Sequence, residues 1–267
     1  MSKNLHQLYY KKYFDGIDFR YLQNNDQKAP KEIVGKINRR NASLCASGLL
    51  AEMPPVECVE DTDCFSLEIL YPGLVTGIGI NHEAKIEGEF KLGVHFDWTH
   101  GMPVIYGSSV KGVLRAWFQE FYEGNRDPFD YEMEIFEGKL RDTEAEKKKY
   151  GQNWEEKVKA TKNRMYIPKS IYERDIFFDA VIKSPDKKGR ILCSDSITPH
   201  GGENHDNPLK NPNPITFLKI APGCKLQFRF KLVGSQEEKR LKRDLFKEIL
   251  TTVGVGAKTN VGYGQLK

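Results

Sequence analysis

Two segments of the chain carry apolar residues at helical spacing. In residues 108–121, apolar side chains recur three or four positions apart, behind serines that can serve as the N-cap and ahead of Gly124. In the second segment, Ser235-Gln236-Glu237-Glu238 forms a capping box and an apolar stripe continues to Gly254. The pattern predicts a helix in each segment.

Shorter runs alternate apolar and polar residues, as half-buried strands do. The strand candidates are Phe65–Leu70, a weaker stretch Ile86–Phe96, Ile176–Ile182, Arg190–Cys193, Thr216–Ile220 and Lys225–Leu232. Together with the two helices and a short final strand, this order predicts an α+β, ferredoxin-like βαββαβ fold, present once or twice. In such a fold the helices cover one face of an antiparallel sheet.

Composition divides the chain further. Residues 1–60 are polar and rich in tyrosine, and we expect an N-terminal extension packed on a core domain of residues 61–267. Residues 125–165 mix Glu and Lys in nearly equal numbers with few apolar residues, which predicts an exposed helical or mobile insertion outside the core. The stretch 198–214 is rich in Gly, Pro and Asn and predicts a loop.

Length, cysteine usage and charge exclude several classes of protein. A chain of 267 residues buries enough apolar surface to fold without a metal or disulfide, so no cofactor is required. Five scattered cysteines without a C-x-x-C pair, and no apolar signal sequence, predict a reduced, cytoplasmic protein. No run approaches the roughly 20 apolar residues of a membrane span. A formal charge of +4 is mild, so any RNA surface must come from clustering.

A glycine string near the C-terminus, Gly254 to Gly264, is the first candidate site. It holds four glycines in eleven residues, with Lys258 and small polar residues between them. Glycine permits positive φ and close backbone approach, so such a loop can turn N–H groups and a lysine toward an anion. A tight turn packed on a strand is the simpler interpretation. Tyr263 is either a ring on which a base stacks or a core residue.

Two groups of cations are further candidates. Lys111 and Arg115 lie four residues apart and share a face of the first predicted helix, near an N-terminus where Ser108, Ser109 and free N–H groups lie. The second group is the densest cationic run outside the Glu/Lys segment and comprises Lys36, Arg39 and Arg40. For both groups, a solvated surface is the alternative to a binding site.

These motifs resemble the signatures of the RAMP superfamily of CRISPR proteins. The glycine string matches G-x-G-x-x-x-x-x-G-x-G, and Gly107–Arg115 resembles a small-residue turn opening a helix, although Tyr106 stands where proline is common. The turn Leu70–Gly77 and the segment from Asp195 to Phe217 are further marks. Within the superfamily, the tyrosine-rich start and the length are most similar to the sixth-subunit family of the type III-B Cmr effector complex.

The resemblance implies a noncatalytic RNA-binding subunit of an RNA-guided, RNA-targeting complex in antiviral defence. It implies contacts with the 3′ part of the guide RNA, with target RNA, and with the backbone subunit, the small helical subunit and the first Cmr subunit. No catalytic residue, metal or cofactor is carried over. In the glycine string, the RNA-binding candidates are Gly256, Lys258, Thr259, Asn260, Gly262 and Tyr263.

Two alternatives stay open. A metal-independent endoribonuclease of the guide-processing branch would use a histidine as general base on a ribose 2′-hydroxyl. Neither the pair His95 and His100 nor the pair His200 and His205 has a standard zinc spacing. Cys58 with Cys64 is a weak metal pair. A purely structural subunit would contact only protein. The candidate bases are His95, His100, His200 and His205.

Overall fold

The computed structural model describes residues 4–23, 28–52, 61–77, 84–91, 93–198 and 214–267. In these ranges the α-helices are α1 Leu5–Tyr10, α2 Lys31–Leu44, α3 Gly107–Phe121, α4 Pro128–Glu132, α5 Thr143–Tyr150, α6 Trp154–Thr161 and α7 Gln236–Val253. The strands are β1 Asp63–Glu68, β2 His95–Phe96, β3 Pro103–Ile105, β4 Lys139–Arg141, β5 Tyr166–Pro168, β6 Ile176–Phe177, β7 Ala180–Ser184, β8 Leu192–Ile197, β9 Ile215–Ile220 and β10 Lys225–Lys231. Both predicted helices are confirmed, as α3 and α7.

The largest sheet is antiparallel throughout. Its strands lie in the order β1, β10, β7, β3, β2, and β6 also pairs with β10. The chain end extends this sheet past β1, where the backbone of Lys267 exchanges hydrogen bonds with Glu68 and Leu266 bridges Ile69. Smaller two-stranded sheets are formed by β4 with β5 and by β8 with β9. The predicted α+β class with an antiparallel sheet is confirmed.

Strand boundaries depart from the prediction in two places. The predicted strand Ile176–Ile182 is split into β6 and β7, because Phe178 and Asp179 leave the ladder between them. Of the described residues in Ile86–Phe96, only His95–Phe96 is a regular strand, so this prediction is wrong over most of its length. The predicted loop at 198–214 lies almost entirely outside the described residues.

Helix α7 begins and ends as its sequence predicts. The Ser235 hydroxyl accepts from the Glu238 N–H and the Glu238 carboxylate accepts from the Ser235 N–H, which completes the capping box. The helix packs against α3 and buries Phe246, which contacts Phe230 on β10. The two helices therefore cover the sheet together.

The start of α3 differs from the prediction, which placed a serine at the N-cap. The helix begins at Gly107, and its N-cap residue, Tyr106, makes no side-chain cap. Instead the Gly107 N–H donates to Asp179 Oδ1 at 2.7 Å. A Cβ at Gly107 would lie 2.2 Å from the Phe177 carbonyl oxygen, so glycine lets the helix start directly against the strand edge.

The described residues of the N-terminal segment belong to the main hydrophobic core. Leu5, Tyr9 and Tyr13 are buried in the same cluster as strand residues of the large sheet. Tyr9 donates its hydroxyl proton to the Phe90 carbonyl at 2.8 Å, and the Phe90 N–H donates to the Tyr13 hydroxyl at 2.7 Å. The two buried phenols thus satisfy the backbone N–H and C=O of Phe90, which lies outside any strand.

The Glu/Lys segment is partly core, which corrects the expectation that residues 125–165 lie outside it. Tyr131, Ile135 and Phe136, on α4 and the π-helical turn that follows it, are buried in the main cluster. The charges outside that core pair with each other. Asp130 accepts from Arg141 at 3.2 Å and from Arg164 at 2.7 Å.

Within the described ranges, no helix combines the length and apolar character that crossing a membrane requires.

A buried ion pair fastens α7 to the segment before β6. Lys242 Nζ lies 2.6 Å from Asp175 Oδ2 and 2.9 Å from the Val233 carbonyl, and both charged side chains are almost fully buried. We expect Lys242→Ala to lower the free energy of unfolding by about 3–5 kcal/mol, because Asp175 is left as an unpaired buried charge. Urea denaturation measures this, with Lys247→Ala, on the exposed face of α7, as the control. Equal stability of the two variants would contradict the prediction.

Candidate functional site

The glycine string folds back onto the turn after β1. The Val255 N–H donates to the Gly264 carbonyl at 3.0 Å, the Ala257 N–H to Val75 at 2.7 Å, and the Gly264 N–H to Gly73 at 2.8 Å. These N–H groups are therefore used inside the protein and are not available to an anion.

Three of the glycines allow this close packing. A Cβ would lie 1.9 Å from the Val255 oxygen at Gly264, 2.4 Å from the Val75 oxygen at Gly256, and 2.7 Å from the Gly264 oxygen at Gly254. Each distance is shorter than any side chain tolerates, so a tight turn accounts for these glycines. At Gly262 the nearest atom would be Pro72 Cδ at 3.7 Å, and only its positive φ of +93° favours glycine there.

The exposed part of the string is a short 3-10 turn, Thr259–Val261. Lys258, which precedes it with φ +61°, and Asn260 are exposed, and Lys258 has no acidic partner in the described part of the chain. Tyr71 stands beside this turn with 85% of its surface exposed. Its position in the turn Leu70–Gly77 was noted from sequence, but nothing in the sequence marked its ring as the exposed aromatic of the site.

Tyr263, predicted as a candidate for stacking on a base, is a core residue. Its ring is 8% exposed and packs against Phe217 and Val75. Its hydroxyl donates to Asp195 Oδ2 at 2.7 Å, and burial followed by this carboxylate raises the pKa of Tyr263. Lys219 donates to the same carboxylate oxygen at 2.5 Å. The ring holds the string against β9 and is not available to a nucleobase.

A cleft of about 170 Å³ lies where the glycine string meets the start of α3. The two sequence motifs thus line one cavity, although they are separated by about 140 residues of chain. This volume is below the roughly 300–1,000 Å³ of clefts for drug-sized ligands, so it suits a single base or ribose. Its lining residues are Thr76, His95, Ile105, Tyr106, Ser109, Val113, Gly256 and Ala257.

His95 is the titratable group of this cleft. Its ring stacks on Tyr106 with centroids 4.8 Å apart, and its backbone N–H donates to Thr76 Oγ1 at 2.6 Å. Burial lowers the pKa of His95. The imidazole is therefore neutral at pH 7, with one nitrogen that donates and one that accepts. Neither nitrogen has a hydrogen-bond partner within the described structure.

The structure does not bring Lys111 and Arg115 to the cleft, although both belong to the same sequence motif as Ser109. Arg115 Nε lies 3.1 Å from Glu132, and its guanidinium also pairs with Glu137. At 100° per residue, both cations lie on roughly the opposite side of α3 from Ser109 and Val113, which line the cleft. Of the predicted helix residues, Ser109 reaches the cleft, and Ser108 is exposed at the helix start.

The cationic run on α2 is also largely committed to protein contacts. Lys36 pairs with Glu32 at 2.9 Å. Arg40 donates to the carbonyls of Tyr13 and Asp15, each at 2.5 Å, and so fastens the N-terminal segment to α2. Arg39 is exposed and has no ion-pair partner in the described ranges. Arg40 thus has a structural role, and its contact with RNA stays a prediction.

The other histidine candidates lie elsewhere. His100 Nδ1 lies 2.9 Å from Asp97 Oδ1 in the turn between β2 and β3. His200 and His205 lie outside the described residues, as does Cys58. In the described part of the chain, no three His, Cys, Asp or Glu side chains group as metal ligands do.

The glycine string allows a direct test of packing. We expect Gly264→Ala to reduce the free energy of unfolding more than Gly262→Ala, because only at Gly264 would the new Cβ meet a backbone oxygen. Positive φ alone costs an alanine about 1–2 kcal/mol at either site. Gly112→Ala, in open space on α3, is expected to be neutral or to stabilise by up to about 1 kcal/mol. Urea unfolding compares the three, and equal losses at Gly262 and Gly264 would refute the packing argument.

The chain shares its fold with at least one solved structure. The chain aligns with one from Type III-B Cmr-beta bound to cognate target RNA, solved by cryo-EM, at TM-score 0.53 and 17% identity, covering 98% of this chain and 84% of that one. It also aligns with Cmr6 from Pyrococcus furiosus, at TM-score 0.35 and 21% identity, covering 79% of this chain and 99% of that one. At these identities the first match shows a shared fold, and the second carries no argument.

No curated protein matches the chain. The sequence model of the RAMP superfamily, however, matches residues 66–267. That range covers most of the chain and contains the large sheet apart from the first three residues of β1, both covering helices and the glycine string. The chain belongs to the RAMP superfamily.

Proposed function

We propose that this chain is a noncatalytic RNA-binding subunit of a type III-B CRISPR effector complex, of the sixth-subunit type. The observation that carries the proposal is the cleft at which the start of α3 and the glycine string meet, with Lys258 and Tyr71 exposed at the string. Membership of the superfamily and the shared fold with a chain of an RNA-bound Cmr assembly support it.

The strand order fits a ferredoxin-like core. We propose that β1, α3, β7, β10, α7 and the C-terminal segment correspond to the six elements of a βαββαβ unit. In the sheet the C-terminal segment lies beside β1, β1 beside β10, and β10 beside β7. We propose that β2 and β3 are additions at the outer edge of this unit.

RNA would bind through complementary parts of the site. Lys258 offers a cation to a phosphate, and Asn260 and Thr259 offer hydrogen bonds to phosphate or ribose, which fix register without reading sequence. Ser109, Thr76 and the neutral His95 line a cleft that suits a ribose or an unstacked base. Tyr71 offers a ring face on which a base stacks.

The partners follow from the same assignment. We propose that the subunit contacts the 3′ part of the guide RNA, lies near target RNA, and caps the row of backbone subunits beside the small helical subunit and the first Cmr subunit. Further proposed RNA contacts lie outside the cleft lining. They are Lys111 and Arg39, which have no ion-pair partner in the described ranges, and the exposed Ser108.

Lys258 provides the main test. We expect Lys258→Ala to weaken binding of a single-stranded oligoribonucleotide by roughly fivefold at low salt, about 1 kcal/mol. The association constant K falls as salt rises. Loss of one phosphate contact on a single strand makes the slope of log K against log salt less negative by about 0.7. Fluorescence anisotropy over a salt series measures both quantities.

Lys247→Ala removes the same charge from the exposed face of α7 and is the matched control. It should leave affinity and salt slope unchanged. Equal RNA binding by the two variants would contradict the role of Lys258. If the wild-type chain and its assembled complex bind no RNA, the chain is a structural subunit that contacts only protein.

One observation favours a second candidate, a metal-independent endoribonuclease. His95 is neutral, half-buried and beside both superfamily motifs, so it could accept a proton from a ribose 2′-hydroxyl in the cleft. On the noncatalytic proposal, we expect no site-specific cleavage of repeat RNA in the presence of chelator, by wild type or by His95→Ala. Cleavage by wild type that disappears in His95→Ala, with RNA binding retained, would establish the enzyme instead.

A further inference from the structure

Trp98 is the feature that the proposed site leaves unexplained. It lies in the turn between β2 and β3 and is 76% exposed, although burying a tryptophan is among the most favourable contacts a protein can make. The turn itself is ordered by polar contacts. Asp97 accepts from the Thr99 and His100 N–H groups and from the His100 ring, at distances of 2.5 to 3.0 Å. The exposed Trp98 ring is thus carried by an ordered turn.

The tryptophan is part of a tilted three-ring stack, in which neighbouring ring planes meet at 42° and 46°. The His6 ring lies between its two neighbours, with centroids 4.3 Å from Trp98 and 4.6 Å from Tyr10. His6 is buried and its Nε2 has no hydrogen-bond partner among the residues that the structure describes, while Tyr10 is 43% exposed. Burial, and next the neighbouring Lys11, lower the pKa of His6. The stack is therefore an uncharged aromatic surface in which the buried His6 ring packs against both exposed rings.

The surroundings of the stack favour a nucleic-acid ligand. Lys11 is exposed, has no acidic partner among the described residues, and lies near enough to His6 to affect its pKa. The nearest carboxylate, Asp97, faces the backbone and ring of its own turn. An aromatic face beside an unpaired cation is the arrangement that holds single strands, since bases stack while phosphates contact the cation.

The stack lies near the cleft. Tyr10 contacts Phe96 edge-on, with ring centroids 6.5 Å apart, and Phe96 follows His95 in β2. Tyr106 stacks on His95 and lines the cleft beside the glycine string.

We propose that Trp98, supported by His6 and flanked by Tyr10 and Lys11, is a base-stacking platform for an unpaired RNA base. The proposal rests on the proposed function in that the chain binds RNA. It adds a second contact point that belongs to neither superfamily motif. The platform reads no sequence, because every base offers a π face.

The test compares two exposed tryptophans in the full-length protein. We expect Trp98→Ala to weaken binding of a single-stranded oligoribonucleotide by about fivefold or more, and Trp98→Phe to retain most of the affinity. Trp117→Ala is the matched control, because Trp117 is 39% exposed on α3 and outside the stack. It should bind as wild type does. Thermal unfolding of each variant confirms that the exposed ring is not needed for folding.

A direct readout uses Trp98 as the reporter. In a Trp117→Phe/Trp154→Phe variant it is the remaining tryptophan, and stacking of a base should quench its fluorescence, whereas an abasic strand should not. Wild-type affinity in Trp98→Ala would overturn the platform while leaving the Lys258 result to decide the proposed function. Unchanged RNA binding with lost assembly of other subunits would make this surface a protein interface and would equally overturn it.

Discussion

The architecture depends on the close approach of two backbones, the glycine string and the turn after β1. Hydrogen bonds at Val75, Gly73 and Gly264 return the chain to the sheet after α7. Side chains at three of the glycine positions would fill the space that these bonds need. This approach places the last residues beside β1 and forms one wall of the cleft. The glycines are therefore structural, and the chemistry of the string lies in the residues between them.

This arrangement separates positioning from binding. Tyr263 and Asp195 hold the string from inside through a hydrogen bond that Lys219 also reaches. Lys258 on the string and Tyr71 on the turn after β1 are both exposed. Asp179 occupies the first N–H of α3, so the helix end contributes little free positive potential to the cleft. A ligand there meets hydroxyl groups and a neutral imidazole, and Lys258 supplies a positive charge from the neighbouring glycine string.

Local signals predicted local structure well, and contacts between distant segments account for the errors. The capping box and the apolar stripe of α7 depend on neighbours in sequence, and both were correct. The cap of α3 comes from Asp179, about 70 residues later, which no spacing rule identifies. Arg40 and Arg115 look like free cations in sequence, but carbonyls and carboxylates from other elements engage them. The cleft could be predicted as a meeting of two motifs, but not which helix face would line it.

The paired charges around Asp130 have a consequence for how the molecule meets a polyanion. Arg141 and Arg164 share this carboxylate, and further acids of the same segment neutralise what remains. Beyond a Debye length of about 8–10 Å, the potentials of such matched charges cancel. The most highly charged stretch of the sequence therefore contributes little to the long-range electrostatic potential. Residues 125–165 carry ten acidic and ten basic side chains. The net positive charge of the chain therefore lies outside this segment, and that charge supplies the long-range field that an approaching strand meets.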